Sequence, residues 1–212
     1  MFTTLVQARA VSGPLSEPQK MPCMSYGLPA KECKVGSKLR QIPNSTCSTC
    51  YALKGRYVFQ NVQASQYNRL STLHNPAWVD AIVFQIQKAP KGRGEYFRWH
   101  DSGDIRDIEH LEKIVEVALR LPKVKFWLPT REQGVVRAYQ AQYGAFPKNL
   151  VVRMSAAMID GKPPSGFKQT SGVHSARRAL GRVCPAPQQD NKCGNCRACW
   201  DPKVKHVSYH KH

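Results

Sequence analysis

Acidic side chains are scarce in this 212-residue chain, where 14 Asp plus Glu stand against 32 Lys plus Arg and the formal net charge is +18. Such an excess favours polyanionic partners: nucleic acid, nucleotides or phosphorylated substrates. Long apolar runs are missing too. No segment approaches the roughly 20 apolar residues of a membrane span, so no membrane partner is expected. The first residues, MFTTLVQARAVSGPLSEPQK, lack the apolar stretch that a secretory signal requires. A cytoplasmic protein with reduced thiols is the expectation, and that setting argues against pairing the cysteines as disulfides. No run of five or six consecutive positive residues marks a disordered basic arm. Neither an internal repeat nor a low-complexity tract appears. With 42% apolar residues the chain can build a core.

Cysteine is what the chain does have, and its eight residues fall in two clusters. Cys23, Cys33, Cys47 and Cys50 lie near the N-terminus, the last three spaced Cys-x13-Cys-x2-Cys. Cys184, Cys193, Cys196 and Cys199 lie near the C-terminus in CPAPQQDNKCGNCRACW. Two Cys-x2-Cys steps sharing Cys196 bring three thiols into one tight loop, the way a chain wraps a metal or an iron–sulfur cluster. Zinc held by four cysteines usually uses two separated Cys-x2-Cys knuckles, so this run favours a 4Fe–4S cluster, with zinc as the alternative. In the N-terminal group Cys33, Cys47 and Cys50 are read as three ligands. Cys23 is either a fourth or an inert buried thiol.

The expected organisation has three parts. Residues 1–22, broken by Pro14, Pro18 and Pro22, are an irregular lead-in. Residues 23–183 carry the N-terminal cysteine loop and the main α/β unit. Residues 184–212 are a cysteine cluster and a surface tail in which His206, His210 and His212 are not ligands. A helix is expected from Ser48 to about Leu73, divided at Gly55. A second starts at Asn75, with Trp78, Ile82, Val83 and Ile86 at helical spacing. Then the rhythm alternates: strand Glu95–His100, helix Ile108–Leu121, strand Val124–Leu128, a weaker helix Gly134–Tyr143, and strand Leu150–Met154. This pattern predicts parallel strands joined by right-handed crossovers. Functional groups then gather at the carboxyl ends of the strands, where the chain places His100, Asp101, Ser102, Gly103 and Asp104, then Thr130, Arg131 and Glu132, then Ser155. The competing reading makes HDSGD a turn with a helix cap.

In this order, LPAKEC, CSTCYALKG, FRWHDSGD, FWLPTRE and CPAPQQDNKCGNCRACW resemble the phage "gene product 88" family across residues 20–202. The resemblance implies a compact relative of radical S-adenosylmethionine enzymes: a cysteine-rich N-terminal loop, a partial (β/α) barrel and a trailing cysteine cluster. Two departures stand out. The usual Cys-x3-Cys-x2-Cys loop is replaced by Cys33-x13-Cys47-x2-Cys50, and in place of Gly-Gly-Glu the chain has only Ser102-Gly103-Asp104 at a strand end.

Two functions compete. The first is an iron–sulfur protein or enzyme with one or two 4Fe–4S clusters. Cys33, Cys47 and Cys50 would face the strand ends, Cys184, Cys193, Cys196 and Cys199 would form a closed site, and S-adenosylmethionine is a candidate cofactor. His100 to Asp104 and Thr130 to Glu132 would contact cofactor or substrate, Arg131 suiting a carboxylate or phosphate. The second is a basic nucleic-acid-binding protein with structural metal sites, in which Tyr51, Tyr57, Tyr67, Trp200 and Tyr209 stack bases. The oligomeric state is left open.

Overall fold

The strand–helix alternation anticipated for residues 95–154 is present, and beyond residue 159 the chain adds further strands with no α-helix between them. The computed structural model describes residues 1–211. Its elements are α1 (Leu5–Ser12), β1 (Met24–Tyr26), α2 (Lys34–Leu39), α3 (Gln60–Thr72), α4 (Trp78–Gln87), β2 (Tyr96–Trp99), α5 (Ile108–Arg120), β3 (Lys125–Thr130), α6 (Gln133–Tyr143), β4 (Leu150–Ile159), β5 (Thr170–His174), β6 (Arg182–Val183) and β7 (His206–His210). The strands form one sheet in the order β1-β2-β3-β4-β5-β7-β6, with every neighbouring pair parallel. The expected α/β class is present, and a single seven-stranded parallel sheet is consistent with a partial (β/α) barrel.

A parallel sheet needs cover on both faces, and the two faces here are covered differently. Phe97 and Trp99 of β2, Phe126 and Leu128 of β3, and Val152 and Met154 of β4 pack with α4, α5 and α6 into the main core. The α5 helix shows why. Asp107 accepts the His110 amide as its N-cap, and Leu111, Ile114, Val115 and Ala118 fall on the buried face. Leu119, although apolar, lies off this face and is exposed. The residues between those positions point the other way. Trp127 of β3 joins Met21, Cys23 and Trp200 in a second cluster, against which Tyr96 and Tyr209 pack. Arg153 of β4 is fully buried and donates to the carbonyls of Thr170, Val204 and Ala198. The 184–205 connection between β6 and β7 covers this helix-free face.

Several expectations need correction. The lead-in is not irregular throughout: Thr4 and Gln7 form a capping box that starts α1, and the three prolines all lie beyond its end. Only Gln60–Thr72 of the 48–73 stretch is α-helical. Two 3-10 turns precede it, separated where Gly55 adopts φ +55°. The strand that was to end at Ser155 runs on to Ile159, so Ser155 is a mid-strand residue whose hydroxyl meets that of Ser171 at 3.2 Å. The tail is not a surface extension. Residues 206–210 insert as β7 between β5 and β6, because Val207 and Ser208 find cover there that no isolated tail could provide. His206 and His210 are strand residues rather than one face of a helix. His206 meets Thr170 Oγ1 at 2.8 Å, and the His210 ring lies against His174. His212 falls outside the described residues. No helix among the described residues is long and apolar enough to cross a membrane.

Two outcomes follow from this packing. Val207 is 1% exposed, so Val207→Asp places an unpaired charge between β5 and β6. A loss of roughly 3 kcal/mol or more is expected in denaturant unfolding. The second concerns acid. Burial pushes the His110 imidazole down to about 3 and holds His100 well below the ordinary histidine range. Both are neutral in the fold, whereas the unfolded chain protonates them below about pH 6.5. Stability is therefore complete above that pH and falls as the pH drops below it, by at most about 1.4 kcal/mol per pH unit for each histidine. Asp104 acts in the opposite sense. Burial raises its carboxyl to about 6, so between about pH 4 and 6 acidification favours the fold and offsets one histidine. The net expectation is a melting temperature that falls from pH 7 to pH 5, less steeply in His110→Phe.

Candidate functional site

The turn after β1, the HDSGD turn after β2 and the Thr130–Glu132 segment after β3 meet at one end of the sheet. His100 has φ +53° and donates its amide to the Tyr26 carbonyl, while Leu28 donates to the Ser102 carbonyl. These bonds seat the second turn on the first. Gly103 has φ +76°, and a Cβ there would lie 2.7 Å from the Leu28 carbonyl oxygen, so no other residue fits. Asp104 ties the second turn to the third. Its Oδ1 accepts from Thr130 Oγ1 at 2.6 Å and from the Ile105 amide, and its Oδ2 accepts from the Arg131 amide at 2.9 Å.

The N-terminal cysteine segment is fastened onto this end. Glu132 Oε1 accepts from the Val35 amide in the first turn of α2, where a carboxylate also complements the helix dipole. Arg131 Nε donates to Thr46 Oγ1, next to Cys47. Thr46 donates its amide to the Ala157 carbonyl of β4. Behind Cys50, Tyr51 donates to the Asp101 carbonyl at 2.5 Å and Tyr57 donates to Asp101 Oδ2 at 3.3 Å. Residues nominated as cofactor contacts thus hold the cysteine loop in place. Glu132 and Thr130 are buried. His100 turns away from the loop, its ring 5.4 Å from that of His110 in α5. Neither of its ring nitrogens, nor Asp101 Oδ1 or Ser102 Oγ, has a hydrogen-bond partner although all four are buried.

All eight cysteines are free thiols. Cys33 and Cys47 approach each other across Gly36 of α2: a Cβ there would meet Cys33 Cβ at 2.9 Å, Cys33 Sγ at 3.6 Å and Cys47 Sγ at 3.7 Å. The approach to Cys33 Cβ is what calls for glycine here, while both sulfurs lie at ordinary contact distance of that position, a role the sequence alone did not reveal. Burial pushes the Cys33 thiol up to about 12, and the charges of Asp104, Cys50 and Cys47 act in the same direction. Burial also raises Cys47, against the opposing charge of Arg131.

Cys23 belongs elsewhere. It is fully buried on the helix-free face, in the cluster with Trp127 and Trp200 against which Cys193 and Cys199 pack. The Cys193 amide donates to the Lys20 carbonyl, three residues before it. Trp200 anchors the C-terminal segment by donating its indole N–H to the Phe97 carbonyl at 2.8 Å, and Cys199 Sγ lies 3.2 Å from the Tyr209 hydroxyl of β7. The grouping is therefore three thiols and five. Arg98 of β2 lies between them. Its guanidinium stacks 4.5 Å over the Trp127 ring and donates to the Tyr51 hydroxyl beside Cys50 and to Met21 Sδ near Cys23. The alternation of EYFRWH contained the signal for this residue, since one of its faces is apolar and the other carries Tyr96 and Arg98.

The donor set is chemically that of a thiophilic metal. Among the described residues, no three His, Cys, Asp or Glu side chains stand in ligand geometry around one point. The thiols are gathered by the fold without converging.

The strand-end ties make a measurable claim. Asp104→Ala strips three donors of their acceptor and is expected to cost about 2–4 kcal/mol. Because the carboxylate fixes the Thr130–Glu132 segment that holds α2, Cys33 and Cys47 should react faster with a maleimide in this variant than in the parent. Cys23 labelling should be unchanged.

Comparison with known proteins gives one match: the family model described as "Gene product 88" covers residues 3–202. No curated protein and no solved structure matches the chain.

Proposed function

The chain belongs to the gene product 88 family, and from that premise we propose that it is a phage iron–sulfur protein working in the host cell's cytoplasm, where thiols stay reduced. The observation that carries this reading is the sorting of eight free thiols into two groups on the sheet. Cys33, Cys47 and Cys50 would hold one 4Fe–4S cluster at the strand ends. Cys184, Cys193, Cys196 and Cys199 would hold a second on the helix-free face, with Cys23 as a fifth thiol beside them. A bound cluster would supply one-electron chemistry at an open site and a cross-link at a closed one. Arg131, facing Cys33 and Cys47, and Arg98, between the groups, would offset the charge that thiolate ligands bring.

The protein's own part in such chemistry is to position and to exclude water. Glu132, Thr46 and Tyr51 fix the loop, and the unpartnered Asp101 Oδ1 and Ser102 Oγ are the polar atoms left for a bound molecule. Asp104 is poorly suited to an S-adenosylmethionine amine, since its carboxylate already accepts three hydrogen bonds from the protein. The proposal therefore rests on clusters rather than on that cofactor.

Protein purified without oxygen is expected to show the broad visible absorbance of an iron–sulfur cluster, with iron and acid-labile sulfide in equal amounts. The triple variant Cys33→Ala, Cys47→Ala, Cys50→Ala should lose about half of both, and the variant Cys193→Ala, Cys196→Ala, Cys199→Ala the other half. A colourless protein with stoichiometric zinc would overturn the iron–sulfur assignment. A metal-free protein would overturn the metal assignment altogether.

A further inference from the structure

A cavity of about 470 Å³ opens beside the cysteine loop, adjoining the strand-end network through Tyr57, which lines it and donates to Asp101. Lys31, Arg40, Leu53, Tyr57, Gln66 and Tyr67 line it. Its walls come from both flanks of the Cys33–Cys50 loop and from the face of α3 turned toward them. The volume is in the range of small-molecule sites, roughly 300–1,000 Å³.

Three observations indicate what fits there. First, two of its lining side chains are exposed and apolar or aromatic: Tyr67 at 42% and Val58 at 47%. Of two other aromatics read from the sequence as stacking platforms, Trp200 is buried against the sheet and Tyr209 of β7 is half-buried. Second, the charge of this surface has one sign. Between Lys31 and Tyr67 the sole acidic residue is Glu32, which accepts a long hydrogen bond from the Tyr67 hydroxyl, while Lys31, Lys34, Lys38, Arg40, Lys54 and Arg56 are basic. Third, the wall holds an unused donor. Arg40 donates through Nη2 to the Ala30 carbonyl, but its Nε is buried with no partner.

We propose that this cavity and its rim bind single-stranded nucleic acid, one unpaired base entering against the Tyr67 ring and the adjoining phosphates resting on Lys31, Arg40 and Lys54. A base can enter a concave site only when it is free of the stack, as in a single strand. Stacking on an exposed tyrosine with basic residues beside it tolerates any base, because every base has a π-face and every linkage a phosphate. This site needs no metal, so it stands or falls independently of the clusters. Its position beside the loop would bring a bound strand next to Cys33 and Cys50.

The test is fluorescence anisotropy of the full chain with short labelled deoxythymidine and uridine oligomers over a range of salt. Affinity is expected to fall steeply as salt rises. Tyr67→Ala should weaken binding about tenfold, Tyr67→Phe should retain it, and an abasic strand of the same length should bind as weakly as the Ala variant sees the normal strand. Lys31→Gln should lower the log–log salt slope by about 0.7, whereas Lys91→Gln, in the turn entering β2 at the other end of the sheet, should not change the affinity. Equal binding by Tyr67→Ala and parent, equal binding of abasic and normal strands, equal damage from Lys91→Gln, preference for duplex, or no binding at all would each overturn the proposal. Circular dichroism on each variant confirms that the exposed substitutions leave the fold intact.

Discussion

A parallel sheet must be covered on both faces, and this chain has helices for only one. That constraint organises the molecule. The helical side takes Phe97, Trp99, Phe126 and Leu128 in the ordinary way. The other side carries Trp127, Arg98 and a fully buried Arg153, which neither water nor a helix covers. The β6–β7 connection does so instead, held by Trp200 on the Phe97 carbonyl and by Arg153 on the carbonyls of its own loop. The cysteine-rich segment is therefore part of the fold's second layer.

The strand ends show a similar economy of parts. Asp104, Thr130, Arg131, Glu132 and Asp101 are held within a hydrogen-bond network. They join three turns to one another and then to the loop that carries Cys33, Cys47 and Cys50. Burying carboxylates is costly unless each is hydrogen-bonded, and Asp104 meets that requirement with three donors while its carboxyl rises to about 6. The exceptions, Asp101 Oδ1 and Ser102 Oγ, are informative because the neighbouring polar atoms are so fully used.

Charge follows the same division. Arg131 is directed to the three-thiol group, and Arg98 lies between that group and the five-thiol group. The remaining basic residues are largely on the surface, and at the cavity beside α3 Lys31 and Arg40 lie with the exposed Tyr67 ring. Net charge alone did not locate that surface, since lysine and arginine are spread along the chain.

The central strands and helices were legible from the amino-acid sequence because their apolar spacing is local: YFRW, the stripe of α5 and KFWL each carry their period within a few residues. Sequence spacing likewise identified the two cysteine clusters and the polar strand ends. It could not extend β4 past Ser155, place β7, or assign Cys23, because each depends on a partner far along the chain: Ser171 for Ser155, β5 and β6 for β7, and Cys193 for Cys23. Local pattern determined the central strands and helices from β2 to β4. Only the tertiary structure decided that the thiols divide three and five, since a buried residue's neighbours are set by how the sheet's second face is covered, not by distance along the chain.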